Sequence, residues 1–209
     1  MVLRRPRTMR TMNGRWTIRR IVRTLACLLA VGALLPLSGC MPKDKAVGDT
    51  QETPEAIAHD GVDRHDIGVG FVGSASPGNA KRNSAVLRSM RANDMQPFYA
   101  AANTDAGSQR KSVEGFVQRN VKVIVISVDD PSGWQDALDD ARRAGIPVVL
   151  LESSITPDDR TLYAARFHIV AQGSTPKGGA YGIDDALMTV IDDKPHAKDM
   201  NVMLTGTLE

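Results

Sequence analysis

Two short apolar runs, VKVIVISV at 121–128 and IPVVLLE at 146–152, constrain the fold of this chain more than any other feature. Both are rich in β-branched residues, and neither alternates apolar with polar positions. This pattern is typical of strands that are buried on both faces of a parallel sheet. The segment between them, 133–144, has the apolar spacing of an amphipathic helix. A strand, a helix and a second strand in this order predict a right-handed crossover and therefore a parallel α/β fold.

The same alternation extends over most of the chain. Because helices that connect successive parallel strands can cover both faces of a sheet, the predicted fold class is α/β with a doubly wound parallel sheet. Strands are predicted at 67–72, 97–101, 122–128, 147–151 and 162–167, and helices at 79–92, 107–120, 133–144 and 177–192.

Residues 1–39 have the composition of an export signal. Eight arginines and no acidic residue precede position 24, and an apolar run follows at 25–37. That run is too short to span a bilayer comfortably, and a basic segment followed by a short apolar segment is typical of a secretory signal peptide. The closing residues, LSGC at 37–40, resemble the lipobox of bacterial lipoproteins. This resemblance implies acylation of Cys40 and attachment to a membrane surface through lipid, whereas the alternative is a free cysteine beside an ordinary cleavage site.

Residues 40–65 predict a flexible tether, because they are polar, contain two prolines and show no sustained apolar period. Histidines and aspartates in this segment could be interpreted as a metal site, but nothing rigid would hold them, and neither a metal nor another cofactor is predicted. Eight of the 26 basic residues and none of the 24 acidic residues lie in 1–39, so the rest of the chain has a net charge of −6. Nucleic acids bind clustered Lys and Arg, so no nucleic-acid partner is predicted.

Gly68, Gly70 and Gly73 have the G-x-G-x-x-G spacing of a dinucleotide-binding loop. That motif requires a strand before its first glycine and a helix that begins at its third. Here the preceding residues are polar, and a further loop containing Pro77 follows. The three glycines are therefore interpreted as incidental members of the first strand. The loop after them, SASPGN, lies at the carboxyl end of that strand, where ligands bind in open α/β sheets.

Polar side chains follow the carboxyl ends of several predicted strands. Since these ends meet at one edge of a parallel sheet, we expect a ligand site there with acids and hydroxyls but without cations, suited to a neutral sugar. Helix capping or loop solvation is the alternative role for each of these residues. The predicted ligand contacts are Ser74, Ser76, Asn79, Asn103, Asp105, Asp129, Glu152 and Ser153.

The segments IGVGFVGS at 67–74 and SVEGFVQRNVKVIVISVDDPSGWQDALDDARRAGIPVVLLESS at 112–154 resemble the first lobe of periplasmic sugar-binding proteins. The relatives in question are ribose- and galactose-binding proteins, which share their fold with LacI-type repressor sensor domains. The resemblance implies the substrate-binding component of a carbohydrate ABC importer, with a sugar as ligand, an ABC permease as partner and no catalysis. Glu152 matches an acid of the family, but Ser153 replaces the basic residue that often follows it, and the stacking aromatics of the first loop are missing.

The segment NVMLTGT at 201–207 resembles the strand that opens the second lobe in this family. The sequence therefore predicts an N-terminal lobe at 66–199, the start of a second lobe at 200–209, and a chain truncated after the first lobe with a loose C-terminus. The alternative function is an exported α/β enzyme acting on a polar small molecule. The sequence has no G-x-S-x-G elbow, and no Cys–His pair after position 40, which disfavours the enzyme. A repressor-like sensor domain is disfavoured by the export signal.

Overall fold

The computed structural model of the chain describes residues 44–50, 65, 67–102 and 105–205. Several predictions fall outside these ranges and stay predictions. They are the signal at 1–39, acylation of Cys40, most of the tether at 40–65, the contact at Asn103, and residues 206–209.

In the part of the chain that the structure describes, seven parallel strands form one sheet. They are β1 (Gly68–Ser74), β2 (Gln96–Ala102), β3 (Val123–Ser127), β4 (Val148–Leu151), β5 (Ala165–Ile169), β6 (Tyr181–Gly182) and β7 (Asp199–Met203). Their order in the sheet is β2-β1-β3-β4-β5-β7-β6. Since every pairing is parallel, the carboxyl ends share one edge of the sheet, the carboxyl edge, and the amino ends share the opposite edge, the amino edge.

Within the described ranges, four α-helices cover both faces of the sheet, which confirms the predicted doubly wound parallel α/β fold. They are α1 (Ala80–Ala92), α2 (Ala106–Gln118), α3 (Gln135–Arg143) and α4 (Ile183–Ile191). Helices α1 and α4 pack on one face through residues such as Met90 and Leu187. Helices α2 and α3 pack on the other face through residues such as Phe116 and Leu138. None of the described helices is both long enough and apolar enough to cross a membrane.

Strand β3 shows why the central strands are continuously apolar. All five of its residues are buried. Val123 and Val125 point to the face covered by α1 and α4, while Ile124 and Ile126 point to the face covered by α2 and α3. A strand that contributes to both cores has no solvent-facing side, so β3 is apolar except for the buried Ser127 at its carboxyl end.

The three glycines of the G-x-G-x-x-G pattern lie within β1, as predicted, but they are not incidental. A Cβ atom at Gly70 would lie 2.6 Å from the ring of Phe116 in α2. A Cβ atom at Gly73 would lie 2.7 Å from Oδ1 of Asn83 in α1. The missing side chains let the helices on both faces approach the strand closely, so the interpretation as incidental residues is wrong at these two positions.

The C-terminal part of the domain differs from the sequence prediction. The helix predicted at 177–192 begins only at Ile183, because residues 181–182 form the edge strand β6. Strand β7, which includes the predicted start of a second lobe, lies between β5 and β6 in the same sheet. Its residues Met200 and Val202 are buried in the core under α1 and α4. The described residues therefore show no domain boundary at 199–200.

Residues 44–50, called the N-terminal strap here, pack on the domain although they lie within the predicted tether. Ala46 is 2% exposed, and Gly48 is buried against Val190 and Pro147. Thr50 N donates a hydrogen bond to Oδ1 of Asp193 at 2.8 Å. The prediction of a flexible tether is wrong for these seven residues, because specific contacts compensate for their polar composition.

Candidate functional site

A pocket of about 350 Å³ lies at the carboxyl ends of β1, β2 and β3. This is the edge at which the sequence predicts a ligand site, and ligands of open α/β sheets bind at such an edge. The lining residues are Ser74, Ala75, Ser76, Ala102, Val128, Asp129, Asp130 and Trp134.

Asp129 connects the loop after β1 to the loop after β3. Its Oδ2 accepts a hydrogen bond from Ser74 Oγ at 2.9 Å and another from Asn79 Nδ2. Its Oδ1 lies 3.5 Å from a terminal nitrogen of Arg82 in the first turn of α1. The structure thus brings the predicted contacts Ser74, Asn79 and Asp129 together, and Ser76 lines the same pocket.

Asn83 holds the loop after β1 from the inside of the domain. Its side chain is buried, and Nδ2 donates a hydrogen bond to Ser74 O at 2.9 Å. The close approach of Asn83 to the strand is possible only because Gly73 has no side chain. The loop therefore has two anchors, one from Asn83 and one from Asp129.

Asp130 supplies a charged acceptor at the mouth of the pocket. Its Oδ1 accepts a hydrogen bond from Ser132 N at 2.9 Å, and its backbone oxygen accepts one from Trp134 Nε1 at 3.2 Å. Hydrogen bonds from the backbone and hydroxyl of Ser132 lower the pKa of the Asp130 carboxyl. The carboxylate is thus ionised near neutral pH and offers only acceptors to a ligand.

Three other predicted ligand contacts do not line this pocket and bind backbone groups instead. Asp105 caps α2, because its carboxylate accepts hydrogen bonds from the backbone N–H groups of residues 107 and 108. Glu152 has a positive φ of 44°, and its Oε1 accepts a hydrogen bond from Ile169 N at 2.6 Å. Ser153 is buried, and its Oγ accepts a hydrogen bond from Ile155 N at 3.4 Å. Asp105 thus has the alternative role of helix capping, whereas Glu152 and Ser153 bind backbone N–H groups outside any helix end.

The sequence analysis missed Arg82 and Trp134. The prediction of an edge without cations is wrong, because the Arg82 guanidinium lies beside the Asp129 carboxylate. The sequence holds a signal for the Arg82 contact. Arg82 follows Asn79, a predicted ligand contact that also binds Asp129, by three residues, and this spacing puts two side chains on one face of a helix. Trp134 has the apolar spacing of a core residue and is 2% exposed, so its place in the pocket lining is visible only in the structure.

A second groove of about 430 Å³ lies between α2 and α3, away from the strand ends. Its charged side chains pair with each other: Arg110 Nε donates to Asp140 Oδ2 at 2.8 Å. Hydrogen bonds from Arg143 and Arg110 lower the pKa of the Asp140 carboxyl. We therefore place the candidate ligand site at the carboxyl edge and not in this groove.

Part of the chain is similar to a known family. The family model described as "Periplasmic binding protein domain" matches residues 83–175, a segment that runs from α1 past β5. The resemblance to periplasmic sugar-binding proteins that the sequence predicts is thereby confirmed.

The known proteins that the chain resembles are longer than the chain. The galactofuranose-binding protein YtfQ of Escherichia coli (strain K12) is 31% identical over 97 residues, which make up 46% of this chain and 30% of that protein. A crystal structure of a galactofuranose-binding protein is 30% identical, with a TM-score of 0.44, over 49% of this chain and 36% of that one. The arabinose-binding component of an ABC transporter from Shewanella sp. ANA-3 is 24% identical, with a TM-score of 0.42, over 68% and 55%. The chain thus spans about a third of the length of the first two relatives.

Replacing Asp129 with alanine is expected to loosen the loop after β1. The change removes the acceptor of Ser74 and Asn79 and the counter-charge of Arg82. Because the Asp129 side chain is about half exposed, we expect a loss of only about 1 kcal/mol in the free energy of unfolding. Hydrogen exchange of the Ser76 and Asn79 amides, which donate to Ser74 Oγ and Ser76 O, should become faster by about tenfold.

The matched control is Asp139→Ala, which removes an exposed carboxylate bonded to Gln135 at 3.4 Å, away from the pocket. Urea denaturation and amide exchange measured by NMR report both quantities. If Asp129→Ala leaves the exchange at Ser76 and Asn79 unchanged, Asp129 does not anchor the loop.

Proposed function

We propose that the chain is the sugar-binding component of a carbohydrate ABC importer. The family match at 83–175 carries this proposal. The relative with 31% identity is named as a galactofuranose-binding protein, so a sugar ligand is the simplest extension to this chain. We infer that the chain binds its ligand without converting it, as the named relatives are binding proteins.

The chemistry of the pocket supports a sugar as the ligand. Sugars present many hydroxyl groups that both donate and accept hydrogen bonds, and they have less polar faces formed by C–H groups. Asp130 offers an ionised acceptor, and Ser76 offers a hydroxyl that both donates and accepts. Ala75 and Ala102 add apolar surface to the lining, which suits the less polar face of a sugar.

The proposed partners and location follow from the N-terminal sequence and the family. A basic segment, an apolar run and the tetrad ending at Cys40 support export and attachment to the membrane by lipid. A component of an importer delivers its ligand to a membrane permease, so we propose an ABC permease as the protein partner. The chain would then act on the outer side of the cell membrane.

The proposal is tested by isothermal titration of the full chain with a panel of pentoses and hexoses that includes arabinose and galactose. We expect saturable binding of at least one sugar, with the sugar recovered unchanged by chromatography. A chemical product recovered in place of the sugar would support the exported enzyme instead. Absence of binding across the panel, with the domain folded by circular dichroism, would contradict the proposal.

Substitution in the pocket should weaken this binding. Asp130→Asn removes the charge of an acceptor at the pocket mouth, and we expect the Kd to rise by about tenfold, the effect of one hydrogen bond to a charged group. Asp136→Asn is the matched control, because Asp136 is an exposed residue of α3 that does not line the pocket. Equal effects of the two substitutions would show that the ligand binds elsewhere.

A further inference from the structure

The N-terminal strap lies at the amino edge of the sheet, opposite the pocket. Its contacts are with residues that directly precede strands or that end α4. Gly48 lies against Pro147, which directly precedes β4, and against Val190 near the end of α4. Asp49 contacts Lys198, which directly precedes β7. The strap therefore contacts three elements, β4, α4 and β7, that all lie far from it in the sequence.

An ion pair of low exposure connects the strap to the domain. Lys198 Nζ donates a hydrogen bond to Asp49 Oδ2 at 2.7 Å, and both side chains are 15% exposed. The ammonium also donates to Arg160 O at 3.1 Å and lies 4.4 Å from the centre of the Tyr163 ring. Burial lowers the pKa of Lys198, and the Asp49 carboxylate opposes this effect. A lysine ammonium withdrawn from water needs an opposite charge, and the strap supplies one.

Two further contacts fix the position of the strap on the domain. Gly48 has a positive φ of 77°, and a Cβ atom there would lie 2.7 Å from Val190 O and 2.8 Å from Pro147 Cβ. Only glycine combines that backbone conformation with that close approach. Thr50 follows, and its backbone N–H and hydroxyl both donate to the Asp193 carboxylate.

We propose that the N-terminal strap is an integral, docked part of the folded domain, and that the Asp49–Lys198 ion pair holds it at the edge of the sheet opposite the pocket. Parallel strands of five to seven residues span roughly 17–23 Å, so about that distance separates the strap at the amino edge from the pocket at the carboxyl edge. The docking of the strap does not depend on whether the pocket binds a sugar.

The first test is amide exchange in the full chain. The Thr50 amide, which donates to Asp193, should exchange at least about tenfold more slowly than the same amide in an unstructured peptide. Asp49→Asn leaves the Lys198 ammonium without its carboxylate, so exchange at Thr50 should become faster by about tenfold. Gly48→Val should have the same effect by a different route, since it collides with Val190 O.

Asp192→Asn is the matched control. Asp192 also accepts from a lysine at 2.7 Å, but that lysine, Lys194, is 63% exposed. We expect little change at Thr50 in this variant. In a Lys198→Met background, Asp49→Asn should have a much smaller effect on exchange at Thr50, because the buried charge that it compensates is gone. Exchange at Thr50 in the unmodified chain at the rate of a free peptide would overturn the proposal. Equal effects of Asp49→Asn with and without Lys198 would overturn the role of the ion pair.

Discussion

Replacing Phe71 with alanine is expected to lower the free energy of unfolding by about 3–5 kcal/mol. Phe71 is fully buried in β1, between β2 and β3, and it is among the largest side chains in the core under α1 and α4. Its ring also packs against Tyr99, with ring centroids 5.8 Å apart at an angle of 45°. The substitution removes this contact and leaves a cavity that the surrounding strands cannot close.

Urea denaturation followed by circular dichroism measures this loss. Tyr181→Ala is the matched control, because Tyr181 is also an aromatic residue of a strand but is 48% exposed in the edge strand β6. We expect a change of less than about 1 kcal/mol in the control. A loss of similar size in both variants would show that β1 does not form the centre of the core.

Replacing Gly70 with alanine is expected to cost about 2–3 kcal/mol of the free energy of unfolding, an unusual result for the addition of one methyl group. The new Cβ atom would lie 2.6 Å from the ring of Phe116, so either α2 or the ring must move. Phe116 is itself 3% exposed and packed in the core under α2 and α3, which leaves little space for such a movement.

A double-mutant cycle distinguishes the collision with Phe116 from a general sensitivity of β1 to substitution. Phe116→Ala removes the ring, so Gly70→Ala should become nearly neutral in that background. Gly68→Ala is the control within the same strand, because its Cβ atom would meet Phe98 at 3.2 Å, where a small shift of the partly exposed ring is enough. Additive losses from Gly70→Ala and Phe116→Ala would contradict the explanation by close contact.

The fold class was predictable from the sequence because its signal is carried by whole segments. Strands β3 and β4 are apolar at every position except Ser127, the last residue of β3, because both of their faces are buried, and the helix between them has a clear apolar stripe. The short strand β6 carries no such signal, as two residues are too few to show a period. The strap was missed because its contacts join Asp49 to Lys198, residues that lie far apart in the chain.

The location of the candidate site was predictable from the sequence, but only some of its residues were. Ser74 and Asp129 meet because parallel strands bring their carboxyl ends to one edge. Glu152 follows β4 at the same edge, yet its carboxylate binds the Ile169 backbone N–H. The direction of that side chain depends on the positive φ of residue 152, which an ordinary glutamate in a sequence does not reveal.

The loop after β1 has a consequence for protein engineering. Ser74 and Asn79 hold its two ends to Asp129, while the four residues between them, at 75–78, are exposed. A library randomised at these four positions would vary one wall of the pocket without entering either core. Randomising Glu152 would instead remove the hydrogen bond that joins the ends of β4 and β5. A designer who wants a new specificity in this scaffold should therefore begin at 75–78 and leave residue 152 unchanged.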